Sequence, residues 1–76
     1  MKEKSVKEIF AERLKYLIND RGLNIKTLSL EIKIPDSTIS DWLLLKRTPK
    51  IDSIPKIAQY FKVSTDYLLG VIDYEN

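Results

Sequence analysis

The chain has 76 residues, with 13 Lys and Arg against 11 Asp and Glu, for a formal net charge of +2. That length supports one domain, whose small core must recruit most of the apolar residues. It has no cysteine and no histidine, which excludes disulfides and thiolate or imidazole metal sites, and Met1 to Lys7 lacks the apolar stretch of a secretory signal.

Caps and periodicity predict five helices. The first runs from about Val6 to Arg21, opened by Ser5 and Glu8 as a capping box and closed by Gly22. Ile9, Phe10, Leu14, Leu17 and Ile18 give it one apolar stripe. Asn24 caps a short second helix, Ile25 to about Ile32, which buries Leu28 and Ile32. Lys33-Ile34-Pro35 is too short a connection to wander, so the third helix, about Asp36 to Leu44, crosses the second sharply. Its inward residues are Ile39, Trp42 and Leu43, with the Trp42 indole N–H expected at the rim.

After Arg47-Thr48-Pro49, Asp52 or Ser53 caps a fourth helix with Pro55 in its first turn and Ile54, Ile57, Ala58 and Phe61 on its apolar face. Ser64 caps a short fifth helix carrying Tyr67 and Leu68, closed by Gly70. The expected organisation is a flexible arm over residues 1–5, a domain over 6–70 and a tail over 71–76. The apolar runs, Leu43-Leu44-Leu45 among them, are far too short to span a membrane.

Chemistry concentrates in the two short helices between Asn24 and Leu44. The third helix carries Asp36, Ser37, Ser40 and Asp41 on its outer side, clustered toward its start, while apolar residues anchor the back. Such a rod presents hydrogen-bonding groups and is slim enough for the DNA major groove. Lys26, Lys33, Lys46, Arg47 and Lys50 are the basic residues around it, against Glu31, Asp36 and Asp41. Cations beside the rod can bind phosphates and set its register, although the same charges would also suit a plain solvated surface.

The strings RLKYLINDRGLN (13–24), LSLEI (28–32), IPDSTISDW (34–42), PKIDSIPKIA (49–58) and VSTDYLLG (63–70) together resemble the Cro/C1-type, or XRE, helix-turn-helix family of phage and bacterial regulators. The resemblance covers about Phe10 to Gly70. It implies an all-α, five-helix, lambda-repressor-like DNA-binding domain whose third helix enters the major groove. It places base reading on Asp36, Ser37 and Asp41. Thr38 and Ser40 lie beside them as further contacts to base or phosphate. Phosphate contacts fall on Lys26 and Thr27 at the start of the second helix, and on Lys46, Arg47 and Lys50 after the third.

Three positions depart from the family pattern. Ile25 stands where glutamine is frequent and cannot bond a phosphate, which leaves that task to Lys26 or Thr27. Lys33 stands where the turn usually has glycine, at a cost of roughly 1 kcal/mol if its φ is positive. Ile18 and Leu43 stand where many members pair arginine with glutamate. We read this as an ion pair exchanged for an apolar contact, an exchange that can be neutral or stabilising by ~1–4 kcal/mol. Leu44 and Leu45 remain partly exposed in this reading.

Carboxylates at reading positions repel phosphates but can accept a hydrogen bond from cytosine N4. A site with cytosine opposite Asp36 or Asp41 is therefore expected. For Asp36 the competing role is stabilisation of the helix start through its dipole, typically ~0.3–1 kcal/mol. Trp42, Tyr60 and Tyr67 read as packing residues, and Tyr16 as partly exposed.

An enzyme is disfavoured: serines and aspartates without a base do not make an activated nucleophile, and no glycine-rich phosphate loop occurs. A protein-binding module is the alternative, favoured by the leucine run and the acidic third helix. For DNA the expected partner is a double-stranded operator bound by a homodimer, with half-sites one turn, ~34 Å, apart. Leu68, Leu69, Val71, Ile72 and Tyr74 are the candidate dimer contacts. No cofactor, membrane or small-molecule substrate is expected.

Overall fold

Ser5 starts the first helix by a reciprocal exchange. Its hydroxyl accepts from the Glu8 amide at 3.2 Å, and the Glu8 carboxylate accepts from the Ser5 amide at 2.9 Å. This capping box satisfies two donors that a helix start leaves open. The computed structural model describes residues 4–75, so the first three residues of the expected arm lie outside the described residues. Among the described residues there are five helices and no strand: α1 (Val6–Asp20), α2 (Ile25–Ile32), α3 (Asp36–Leu43), α4 (Ser53–Phe61) and α5 (Thr65–Leu69).

The Asn24 side chain caps α2 by accepting from the Thr27 amide at 2.7 Å, and the Ser64 hydroxyl caps α5 by accepting from the Tyr67 amide at 3.0 Å. The other two starts are bare. Pro35 precedes α3 without a side-chain cap. Asp52 precedes α4 in helical geometry and its side chain caps nothing, while Ser53 is already the first helical residue. The expected cap at Asp52 or Ser53 is thereby corrected. A turn from Lys50 leads the chain into α4, with the Ser53 amide donating to the Lys50 carbonyl at 2.9 Å.

All five helices stop by one device. An amide just past the end reaches back five residues to a helix carbonyl: Leu23 to Ile18, Ile34 to Ser29, Lys46 to Asp41, Val63 to Ala58 and Val71 to Asp66. Each such closure needs a left-handed residue immediately before the donor. Gly22 and Gly70 provide it twice; Lys33, Leu45 and Lys62 provide it at φ of 60°, 63° and 58°. The family resemblance raises the case of a positive φ at Lys33, and the structure has it there and also at Leu45 and Lys62. α1 ends at Asp20, so Arg21 serves as its cap and not as its last turn.

The core is a single cluster. Leu14, Leu17, Leu28, Ile39, Ile57 and Leu68 are fully buried in it. Phe10 of α1 meets Trp42 of α3 edge to face, with ring centres 5.7 Å apart, which ties the third helix to the first. Ile9 is only half-buried and packs against Gly70, where a Cβ would stand 2.9 Å from Ile9 Cδ1.

The segment after α5 folds back. The Arg13 guanidinium donates to the carbonyls of Tyr67 and of Ile72, the latter at 2.6 Å, and its carbon stands 4.4 Å from the centre of the Tyr67 ring. Arg21 donates to the Phe61 carbonyl at 3.1 Å, and the Ser64 amide donates to the Glu75 carbonyl at 2.8 Å. Arg13 thus holds the last helix and the chain beyond it, and Arg21 holds the end of α4.

Candidate nucleic-acid interface

The third helix presents the predicted face. Ile39 and Trp42 point into the core, while Asp36 and Ser37 are exposed and Thr38, Ser40 and Asp41 are half-buried. The division follows from helical period: positions 39 and 42 share one side, and positions 37, 40 and 41 fall away from it. Lys33 at φ 60° turns the chain between α2 and α3, and Ile34, buried next to it, pins that turn to the core.

Lys26 and Thr27 are exposed at the start of α2, but the Thr27 amide already donates to Asn24. Its hydroxyl and the Lys26 ammonium are therefore the groups left for a phosphate. Lys46, Arg47 and Lys50 are all exposed on the connection from α3 to α4. Of the expected contacts, Thr38, Arg47 and Lys50 are brought to one cleft of about 480 Å³, together with Thr48, Ser53 and Trp42.

Two expected contacts touch each other. Arg47 Nη2 is 3.5 Å from Asp41 Oδ2, with both side chains partly solvated. An exposed pair of this kind contributes about 0–1 kcal/mol and is easily exchanged for another partner. A residue expected to read a base and one expected to grip a phosphate meet in this pair.

Trp42 differs from expectation. Its indole N–H does not reach the rim; Nε1 is buried and has no hydrogen-bond partner among the described residues. A buried donor left unpaired costs roughly 1–3 kcal/mol. Ile18 and Leu43 line one groove of about 340 Å³ with Lys15, Leu23 and Ile25, an apolar neighbourhood suited to the exchange of an ion pair for a hydrophobic contact.

The helix-turn-helix domain family matches this chain over residues 11–73. The chain belongs to that family. The match spans every helix except the first turns of α1 and includes α2, the turn and α3. A helix-turn-helix domain suggests DNA binding, and the family is typically non-enzymatic. No curated protein and no solved structure matches the chain.

On this helix-turn-helix domain the proposed dimer residues separate into three groups. Leu68 is fully buried within the domain and is corrected from a surface contact to a core residue. Leu69 and Ile72 are half-buried against the core. Val71 and Tyr74 remain 69% and 64% exposed. No helix among the described residues is long and apolar enough to cross a membrane.

Proposed function

We propose that this helix-turn-helix domain is a Cro/C1-type transcriptional regulator that represses by binding a double-stranded operator. The observation that carries the reading is the division of α3: Ile39 and Trp42 are locked in the core, and a short polar face of Asp36, Ser37, Thr38, Ser40 and Asp41 is turned outward. Side chains that short bring the helix backbone close to base edges, and a helix fixed by its own core positions them without further ordering. Lys26 and Thr27 at the α2 start, and Lys46, Arg47 and Lys50 after α3, bind phosphates and set the register.

The regulator acts as a homodimer, since one α3 reads only a few base pairs and two-fold pairing places the second in the next turn of the groove, ~34 Å away. Val71 and Tyr74, exposed on a segment that Arg13 and Arg21 hold in place, are the contacts between copies, with Leu69 and Ile72 behind them. Sedimentation tests this arrangement: Val71→Ser with Tyr74→Ser shifts the protein toward monomer, and equal sedimentation of variant and parent places the dimer surface elsewhere.

Leu44 and Leu45 favour a second reading, docking of a partner protein, because they are 63% and 40% exposed at the end of α3. A gel shift across a salt series separates the two. DNA affinity falls steeply as salt rises, because binding releases counterions from the duplex. A leucine-mediated contact changes little.

A further inference from the structure

A groove of about 480 Å³ lies where the start of α1, the connection from α3 to α4, the start of α4 and α5 meet. None of the residues lining it belongs to α2 or α3, so it is separate from the proposed reading face. No local sequence signal marks it, because its lining comes from three stretches, 6–10, 48–55 and 65–69. Val6 and Ile51 line it exposed, Ile51 at 84%, while Phe10 and Ile54 line it nearly buried. The hollow thus runs from solvent down to core side chains. Its side-chain polar groups are few: the Lys7 ammonium and the hydroxyls of Thr48 and Thr65. Lys7 is half-buried and makes no ion pair among the described residues. The carboxylate next to it in the chain, Glu8, is engaged by the Ser5 amide. An apolar hollow of roughly 300–1,000 Å³ with a few fixed polar groups is the usual form of a small-molecule site.

We propose that this groove binds a small amphipathic acid, an apolar body of several carbons ending in a carboxylate. The body covers Val6, Ile51 and Leu69 and rests on Phe10 and Ile54, which removes apolar surface from water. The carboxylate pairs with Lys7 and accepts from a threonine hydroxyl. Charge selects an acid over an alcohol or amine of the same shape: Lys7 is the one charged side chain among the described residues that line the groove, and only an anion gives it a partner. A second copy of the chain is the lesser candidate, since the proposed homodimer contacts, Val71 and Tyr74, do not line the groove and leave it open. The site stands independently of the DNA reading; its use as an effector site rests on that reading. Thr48 and Pro49, which line the groove, stand between Arg47 and Lys50 in the chain. A molecule held there orders the backbone that carries two proposed phosphate contacts, and by linkage the acid and the duplex change each other's affinity by the same factor.

The full chain is titrated with sodium octanoate, with octanol and with sodium acetate at matched ionic strength, and followed by nitrogen-15 amide shifts. The expected result is a saturating movement of the Val6, Lys7, Ile51, Thr65 and Leu69 amides with octanoate and none with acetate. Octanol binds about tenfold more weakly, the loss expected for one hydrogen bond to a charged group. Lys7→Gln binds octanoate about tenfold more weakly and octanol as the parent does; Ile51→Ser weakens both. Melting curves check that both variants fold. Shifts spread over the surface without saturation overturn the site. Equal affinity for octanoate and octanol, unchanged in Lys7→Gln, overturns the choice of an acid. Groove amides that move when the protein alone is concentrated show a second copy seated there and overturn the site as well. A selected duplex whose affinity changes in saturating octanoate supports the effector role, and an unchanged affinity overturns that role. If octanoate binds and no duplex does, the site stands and the DNA reading fails.

Discussion

Arg47 and Asp41 face each other across the end of α3, with Nη2 and Oδ2 3.5 Å apart. In the proposed function one grips a phosphate and the other reads a base edge, so the two proposed roles are electrostatically joined. Removing either changes the other's partner, and the two substitutions have different signatures.

Asp41→Ala frees Arg47 and removes a negative charge from the surface that meets DNA. It relaxes preference at one base position by ~1–3 kcal/mol and raises affinity for unrelated duplexes. Arg47→Ala weakens all duplexes alike and reduces the salt slope by about one. Competition gel shifts with one-base variants of a selected site check both. Stability is nearly unchanged in each, because the exposed pair contributes only about 0–1 kcal/mol.

Three helices end on a left-handed residue with a side chain. Lys62 is exposed and makes no side-chain hydrogen bond or ion pair among the described residues. Lys62→Gly therefore stabilises by about 1 kcal/mol, read as a higher midpoint in thermal unfolding. The glycine ends behave in the opposite way, and unequally. Gly22→Ala meets nothing within 4 Å and costs only the conformational strain at its φ of 67°. Gly70→Ala costs more, because its Cβ would press on Ile9 as well. Equal losses at the two glycines would contradict this packing.

Much of this was legible in the sequence because the signals were local. Ser5 with Glu8, Asn24 and Ser64 are side chains that cap their own helices, and α2 has the predicted bounds. The outward set on α3 followed from period alone. The features that escaped depend on residues far apart in the chain. Nothing local in the sequence singles out Arg13 and Arg21, which bond carbonyls some 40 to 59 positions away. Leu68, expected on the fifth helix and offered as a dimer contact, is instead drawn wholly into the core, because which side of so short a helix is covered depends on the distant residues packed against it. Leu45 and Lys62 carry no composition signal for positive φ, since their conformation is imposed by the back-reaching bonds after them.

Arg13 is the main tie between α1 and the end of the chain. Arg13→Met keeps the stem packing and loses the bonds to Tyr67 and Ile72. Hydrogen bonds from a charged group contribute about 1.5–3 kcal/mol each, so the loss of stability exceeds that of Asp41→Ala or Arg47→Ala. Amide exchange checks the location: protection falls first at Ser64 and Val71, whose amides bond Glu75 and Asp66.

Glu8 carries a pH signature. The hydrogen bond from the Ser5 amide, aided by the Ser5 hydroxyl contact, holds its carboxyl below the ordinary 4.5. A group with a depressed folded value stabilises above its unfolded value and loses that contribution as pH falls through the folded one. The wild type is therefore more stable than Glu8→Ala at neutral pH. The difference is full above about pH 4.5 and shrinks in more acidic solution. Melting curves of both proteins across this range test it; a gap that widened on acidification would contradict the capping box.

The central claim, that the outer face of α3 reads a duplex, is tested most directly by selecting bound DNA from a random pool with the parent protein and with a Ser37→Ala, Asp41→Ala double variant. The account predicts one enriched motif for the parent, with two related half-sites a helical turn apart, and a motif altered within the half-sites for the variant. Identical motifs from both proteins, or no enrichment by the parent, would contradict it.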